Sequence, residues 1–142
     1  MKDLNWKKIA DQNNLTEGPT WTSEGLLYSQ CAESVTWIYN PKDGSNIIWR
    51  KNTGGSNGML LDSNGKLYAC EGEGRRLVSY ESGKETEVVA TEFEGKKFNE
   101  PNDLAIFPDG KKIWFSDPNY GGRPLSIEHE SVYLAIKSES SW

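Results

Sequence analysis

The feature that constrains this chain most is a repeat. Residues 21–29, 61–69 and 107–115 share one pattern: an apolar or aromatic residue, a polar turn with glycine, then a strand bearing an aromatic side chain. The turn glycines Gly25, Gly65 and Gly110 stand 40 and 45 residues apart, the period of propeller blades. Asn64-Gly65 and Asp109-Gly110 supply residues that tolerate positive φ, as tight hairpins require. A further strand recurs at 35–39, 76–80 and 131–135, and outer strands follow at 46–49 and 87–90. Four short strands per unit is the make-up of a blade.

The spacing predicts an all-β chain of about three four-stranded blades, near residues 18–56, 57–99 and 100–142. Closed propellers hold about four to eight blades, and an open stack leaves sheet faces and edges bare. The expectation is therefore half of a six-bladed ring, either because the chain is incomplete or because a homodimer completes the circle. Residues 137–142 fall where a fourth strand of the third unit would begin, which reads as an interruption. Residues 4–9 read equally as a strand added to a neighbouring or partner blade and as a frayed amphipathic end.

Composition agrees and excludes some roles. The hydrophobic fraction is only 35%, but 6 Trp, 6 Tyr and 4 Phe give ample area to bury, so disorder is not expected. Sixteen Lys and Arg against 21 Asp and Glu leave a net charge of −5, which argues against a nucleic-acid partner. No stretch approaches a membrane-spanning helix, and no apolar leader opens the chain. Cys31 and Cys70 read as free thiols on strands, which makes a reducing cytoplasm the expected location.

Polar residues that open the innermost strands come next, because those strands line the channel of a propeller. Glu17 precedes Gly18-Pro19-Thr20, Asn57 precedes Gly58-Met59, and Asn102 precedes Asp103-Leu104, again 40 and 45 residues apart. One carboxylate with amide oxygens is a hard donor set, suited to calcium rather than to zinc. Taken singly, each is an ordinary turn residue; their common register is what raises the functional reading.

These residues, together with Cys70-Glu71-Gly72-Glu73-Gly74, Phe98-Asn99-Glu100-Pro101-Asn102-Asp103 and Phe115-Ser116-Asp117-Pro118-Asn119-Tyr120-Gly121, resemble the gluconolactonase/regucalcin-like family over about residues 15–135. The resemblance implies a six-bladed propeller with a divalent metal, calcium foremost, at the channel mouth. It implies metal-dependent hydrolysis of a small-molecule lactone, particularly a sugar lactone. It places Glu17 and Asn102 as metal ligands and Asn57 near metal and substrate. Asp103 becomes a candidate to orient a ligand from behind. Asp117 and Tyr120 become candidates to shape the substrate pocket, although a turn with a packed aromatic is the plainer reading of both. The family's later asparagine and aspartate ligands belong to blades outside this sequence, so the catalytic residue is not assigned. The alternative is a non-catalytic propeller half that binds calcium or assembles with itself; a purely structural module is a third reading.

Other signals are weaker. His129, the single histidine, reads as a solvated loop residue, and there is no G-x-S-x-G elbow. Gly72-Glu73-Gly74 lacks the third glycine of a phosphate loop. Glu71, Glu73, Arg75 and Arg76 read as a solvated hairpin or as part of the mouth, and Trp21, Trp37, Trp49 and Trp114 as packing between blades.

Overall fold

The computed structural model describes residues 5–12, 14–81, 84–139 and 141–142. The first sheet joins β1 (Thr16–Trp21), β2 (Leu26–Gln30), β3 (Val35–Tyr39) and β4 (Asn46–Lys51) in chain order, all antiparallel. The second joins β5 (Ser56–Leu61), β6 (Leu67–Glu71), β7 (Arg76–Glu81) and β8 (Lys84–Ala90) in the same way. A two-stranded hairpin, β9 (Glu92–Phe93) with β10 (Lys96–Lys97), leads to a third sheet of β11 (Leu104–Ile106), β12 (Lys112–Asp117) and β13 (Ser131–Ile136). These are successive blades of a β-propeller, two with four strands and one with three among the described residues.

Side chains write the repeated turn. Asp62 Oδ1 accepts the N–H groups of Asn64 (2.8 Å) and Lys66 (2.9 Å), and Gly65 takes φ +83°. Asp109 Oδ1 accepts Lys111 N–H at 2.9 Å, with Gly110 at φ +65°. In the first blade Thr22 Oγ1 does the same for Glu24 (3.1 Å) and Gly25 (3.2 Å). An acceptor on the residue before the turn thus stands in for the missing ladder bonds.

The second sheet is covered on both faces, and its period of two divides its residues between two cores. Leu67, Ala69, Val78 and Tyr80 meet Leu27 and Ile38 of the first sheet, with Trp49 against them. Tyr68, Cys70 and Leu77 meet Ile113 and Phe115 of the third sheet, joined by Val89 and Phe98. That is why β6 and β7 read as nearly continuous apolar runs rather than alternating ones. Phe98, Phe115 and Tyr133 interlock through ring contacts of 5.0 to 5.6 Å.

Several expectations change. Residues 5–12 form no strand; Gln12 Nε2 donates to the Tyr28 hydroxyl at 3.0 Å, and the segment runs over the first sheet (Leu4 lies outside the described residues). Cys31 is not on a strand but opens a short 3-10 turn, Cys31–Glu33, that ends with Ser34 in the left-handed region at φ +50°. Both cysteines are free. Trp21 and Trp114 lie on the outward faces of the end sheets, 63% and 41% exposed, where no other blade of this chain reaches them. Among the described residues no helix is long and apolar enough to cross a membrane.

Glu71 overturns the reading of a solvated hairpin. It is fully buried, held by Arg76 Nε at 2.6 Å and by the Tyr80 hydroxyl, with Arg50 Nη1 3.9 Å away. The Arg50 guanidinium lies 4.0 Å over the Tyr80 ring. A Cβ on Gly54 or Gly74 would come within 2.7 or 2.8 Å of the Glu71 carboxylate, so two glycines make room for this charge. Arg75, in turn, clasps the carbonyls of Phe98 (2.5 Å) and Lys97 (3.3 Å).

Candidate functional site at the openings of the inner strands

The inner strands β1, β5 and β11 lie side by side. β1 and β5 each carry a bulge at the same end. Three steps from Glu17 to Thr20 face two from Ser29 to Leu27, and three from Ser56 to Met59 face two from Glu71 to Ala69. One extra residue per strand bends the chain and re-aims its side chains. Gly18-Pro19 and Asn57-Gly58 occupy these bulges.

Two glycines let the openings touch. A Cβ on Gly18 would stand 2.2 Å from the Asn57 carbonyl oxygen, and one on Gly58 would stand 2.8 Å from that of Asn102. Gly58 N–H donates to the Asn102 carbonyl at 2.7 Å, and Asn102 N–H donates to Ser116 O at 2.9 Å. Each opening therefore abuts the next, which brings the backbones of Glu17, Asn57 and Asn102 around one end of the stack.

Their side chains differ in occupation. Asn57 is buried, and its Oδ1 accepts the Cys31 thiol at 3.0 Å. Among the described residues the Glu17 carboxylate and the Asn102 amide have no hydrogen-bond partner, and both are half-buried. Asp103 is exposed; its Oδ1 accepts Leu104 N–H at 2.9 Å and lies against Gly58. Its polar contact is with the start of β11, not with the side chain of Asn102.

A cavity of about 340 Å³ opens here, lined by Cys31, Asn57, Glu73, Glu100, Tyr120 and Arg123, with Ala32, Gly55 and Gly72. Neither Glu17 nor Asn102 lines it; Glu17 borders a different, larger cavity of about 490 Å³, formed with residues 7–12, Pro19, Leu26 and Tyr28. The smaller cavity holds the convergent polar groups that mark a binding site.

Electrostatics ties Glu17 to it. Burial, then the Glu17 charge, pushes the Cys31 thiol up to about 11. Burial, then Glu17 and Glu100, raises the Tyr120 phenol. Tyr120 itself is 66% exposed.

The loop that carries Tyr120 and Arg123 is pinned to the chain before β11. Asp117, fully buried, accepts the N–H groups of Asn99 and Glu100, both at 2.8 Å. Glu100 Oε2 accepts Tyr120 N–H at 2.7 Å, and Oε1 meets Arg123 Nε at 3.2 Å. Asn99 Oδ1 accepts Ser126 (2.9 Å) and Ile127 (3.3 Å). Asp117 is thus a backbone anchor, while Tyr120 stands at the cavity. His129 is exposed in the same loop.

Sequence reasoning missed Cys31, Glu100 and Arg123. Cys31 is the first residue after β2, a place the repeat marks once strands are aligned. Glu100 sits two residues before Asn102. Nothing local marks Arg123, whose position depends on the Glu100 contact.

Chemically, Glu17 and Asn102 offer uncommitted hard oxygens and Asn57 a third, shared with Cys31. That set fits a hard cation in kind and supplies about half of the ligands calcium takes. Among the described residues no three His, Cys, Asp or Glu side chains gather to hold a metal.

Successive antiparallel sheets, two of four strands and one of three among the described residues, define the class, a β-propeller. The chain belongs to the SMP-30/gluconolactonase/LRE-like family, whose profile matches residues 15–139. It is 29% identical over 128 residues to a gluconolactonase of Zymomonas mobilis, covering 80% of this chain and 36% of that one. A solved gluconolactonase from Xanthomonas campestris superposes with a TM-score of 0.78 at 28% identity, over 92% of this chain and 49% of the other. Regucalcin from Agrobacterium tumefaciens, described as a calcium-binding protein, shares the fold with a TM-score of 0.62 at 12% identity, over 85% and 45%. The chain spans about half the length of these structures and about a third of the Zymomonas protein.

Proposed function

We propose that this chain contributes to a lactone-hydrolysing site that depends on a divalent cation, calcium foremost. What carries the reading is the abutment of the three inner-strand openings, with two oxygen-bearing side chains, Glu17 and Asn102, uncommitted among the described residues. Family membership supports the lactone chemistry. Glu17 and Asn102 would hold the cation, Asn57 and Tyr120 would contact the lactone, and Asp103 would keep the opening of β11 in place behind Asn102. When bound, a divalent ion supplies Lewis-acid polarisation of a carbonyl and lowers the pKa of water. The Cys31 thiol holds the Asn57 carboxamide by donating to Oδ1, which leaves the amide N–H groups for a substrate oxygen. The cavity of about 340 Å³ is of the size that takes a small ring. The net charge of −5 speaks against a nucleic-acid partner.

The test is acid release from gluconolactone above its uncatalysed rate, with and without a chelator, on the wild type and on Glu17→Gln. Turnover lost with the chelator and in the variant is expected. Turnover indifferent to both would overturn the reading.

A second reading is favoured by the outward face of the third sheet. Trp114, Val132 and Ile136 are 41%, 66% and 60% exposed there. This supports a non-catalytic role in which two copies close one ring around calcium. Bound calcium without turnover, in a particle of about twice 16.0 kDa, is its expected signature.

A further inference from the structure

The tripeptide Ser-Asn-Gly occurs twice in this chain. Ser56-Asn57-Gly58 opens β5, and Ser63-Asn64-Gly65 lies in the turn that joins β5 to β6. The reacting residues are the same, so a difference in behaviour between the two asparagines comes from the fold. A glycine after asparagine leaves the next backbone nitrogen unscreened by a side chain, which opens the asparagine carboxamide to attack by that nitrogen.

The first copy is locked. Asn57 and Gly58 are buried, and Asn57 Oδ1 accepts the Cys31 thiol at 3.0 Å. The Gly58 nitrogen donates its proton to the Asn102 carbonyl at 2.7 Å, across the blade boundary. The second copy is open. Asn64 and Gly65 are exposed, and among the described residues the Asn64 carboxamide has no hydrogen-bond partner. A Cβ on Gly65 would meet nothing within 4 Å, and its N–H is held only by the Asp62 carbonyl, at 3.0 Å within the turn. An exposed turn bond of this kind opens locally, whereas the buried one opens only when blades part.

We propose that Asn64 is a site of spontaneous deamidation and that the fold withholds the same reaction from Asn57. The Gly65 backbone nitrogen attacks Cγ of Asn64. The new C–N bond closes a succinimide ring, and the side-chain nitrogen leaves as ammonia, taking the proton that Gly65 gives up. Water then opens the ring at either carbonyl, leaving aspartate or its β-linked isomer; nothing is oxidised or reduced. The isomer adds a backbone carbon to a turn whose N–H groups at Asn64 and Lys66 are held by Asp62 Oδ1. Asp62 Oδ2 lies 3.6 Å from where a Cβ on Gly110 would stand, in the equivalent turn of the next blade. The change therefore falls where the second and third blades meet, at the far end of β5 from Asn57.

The experiment ages the full chain in mildly alkaline buffer, native and in denaturant, then digests it briefly with trypsin at mildly acidic pH. Both asparagines fall in one tryptic peptide, residues 52–66, so fragment ions assign the amide-to-acid mass gain to one or the other. In the native chain Asn64 should convert at least about a hundredfold faster than Asn57. In denaturant the two rates should agree within about twofold. Asn64→Gln should abolish the native gain and leave the denatured rate at Asn57 unchanged. Equal rates at the two sites in the native chain would overturn the proposal. So would a native Asn64 that stays intact over times that convert it in denaturant. Rates as unequal in denaturant as in the native chain would assign the difference to sequence and overturn the role of the fold.

Discussion

The backbone N–H of Gly58 donates to the carbonyl of Asn102 at 2.7 Å, one blade further on. Any side chain at Gly58 would collide with Asp103 Oδ1 (2.5 Å) and with the backbone at Asn102 and Asp103 (2.8 Å). Gly58→Ala should therefore cost about 3 kcal/mol, since backbone must move. Gly65→Ala is the control: it has φ +83° but nothing within 4 Å, so it should cost about 1 kcal/mol of backbone strain. Denaturant unfolding measures both, and equal costs would remove the steric account.

Glu71 should behave as a buried counter-charge. Glu71→Gln takes the carboxylate from Arg76 and Arg50 and should destabilise by about 3 kcal/mol. Tyr80→Phe removes only a donor and should cost about 1–2 kcal/mol. The two losses should not add in the double variant, because they act on one network. Additive losses in denaturant melts would separate the pair.

The Cys31 thiol should resist alkylation. With its pKa pushed up to about 11 by burial and by Glu17, only about one thiol in ten thousand is ionised at pH 7. Labelling by a thiol reagent, with chelator present, should rise about tenfold per pH unit up to that value. Glu17→Gln should speed it severalfold by removing the nearby charge. Cys70, fully buried, should react only on unfolding. Rapid labelling of one thiol per folded chain at pH 7 would contradict this.

Asp117→Asn should leave one of the N–H groups of Asn99 and Glu100 without its acceptor, at a cost of about 1–2 kcal/mol. Faster hydrogen exchange is expected at the Glu100 and Tyr120 amides. The pH dependence has a definite sign. Burial raises the Asp117 carboxyl above its ordinary 3.8, so the folded chain holds this proton more tightly than the unfolded one. The wild type should therefore lose stability relative to the variant as pH rises from about 3.8 through the raised value. A stability difference that is flat across that window would refute it.

The blades were legible because turn chemistry is local: Asp62 with Gly65 and Asp109 with Gly110 write the same hairpin within a few residues. The spacing of Glu17 and Asn57 led to two bulged strand openings, but the bulges align Glu17 with Ser56, one residue before Asn57, because a bulge shifts the register that spacing alone reads. Cys31, Glu100 and Arg123 were not legible, because their places depend on contacts such as Glu100 with Tyr120 and Arg123, across loops that carry no repeat. Glu71 was read as solvated because a charged residue is rarely buried without partners; its partners come from β4 and β7, and the hairpin sequence names only one of the two strands.

β6 is a partition wall between two rooms. Its odd-numbered Leu67 and Ala69 furnish one side, and its even-numbered Tyr68 and Cys70 the other. Trimming a side chain hollows out a single room, whereas tilting the strand rearranges both together. The mouth residues hang from neighbouring walls of this kind, so their spacing is governed by how rigidly β6 stands.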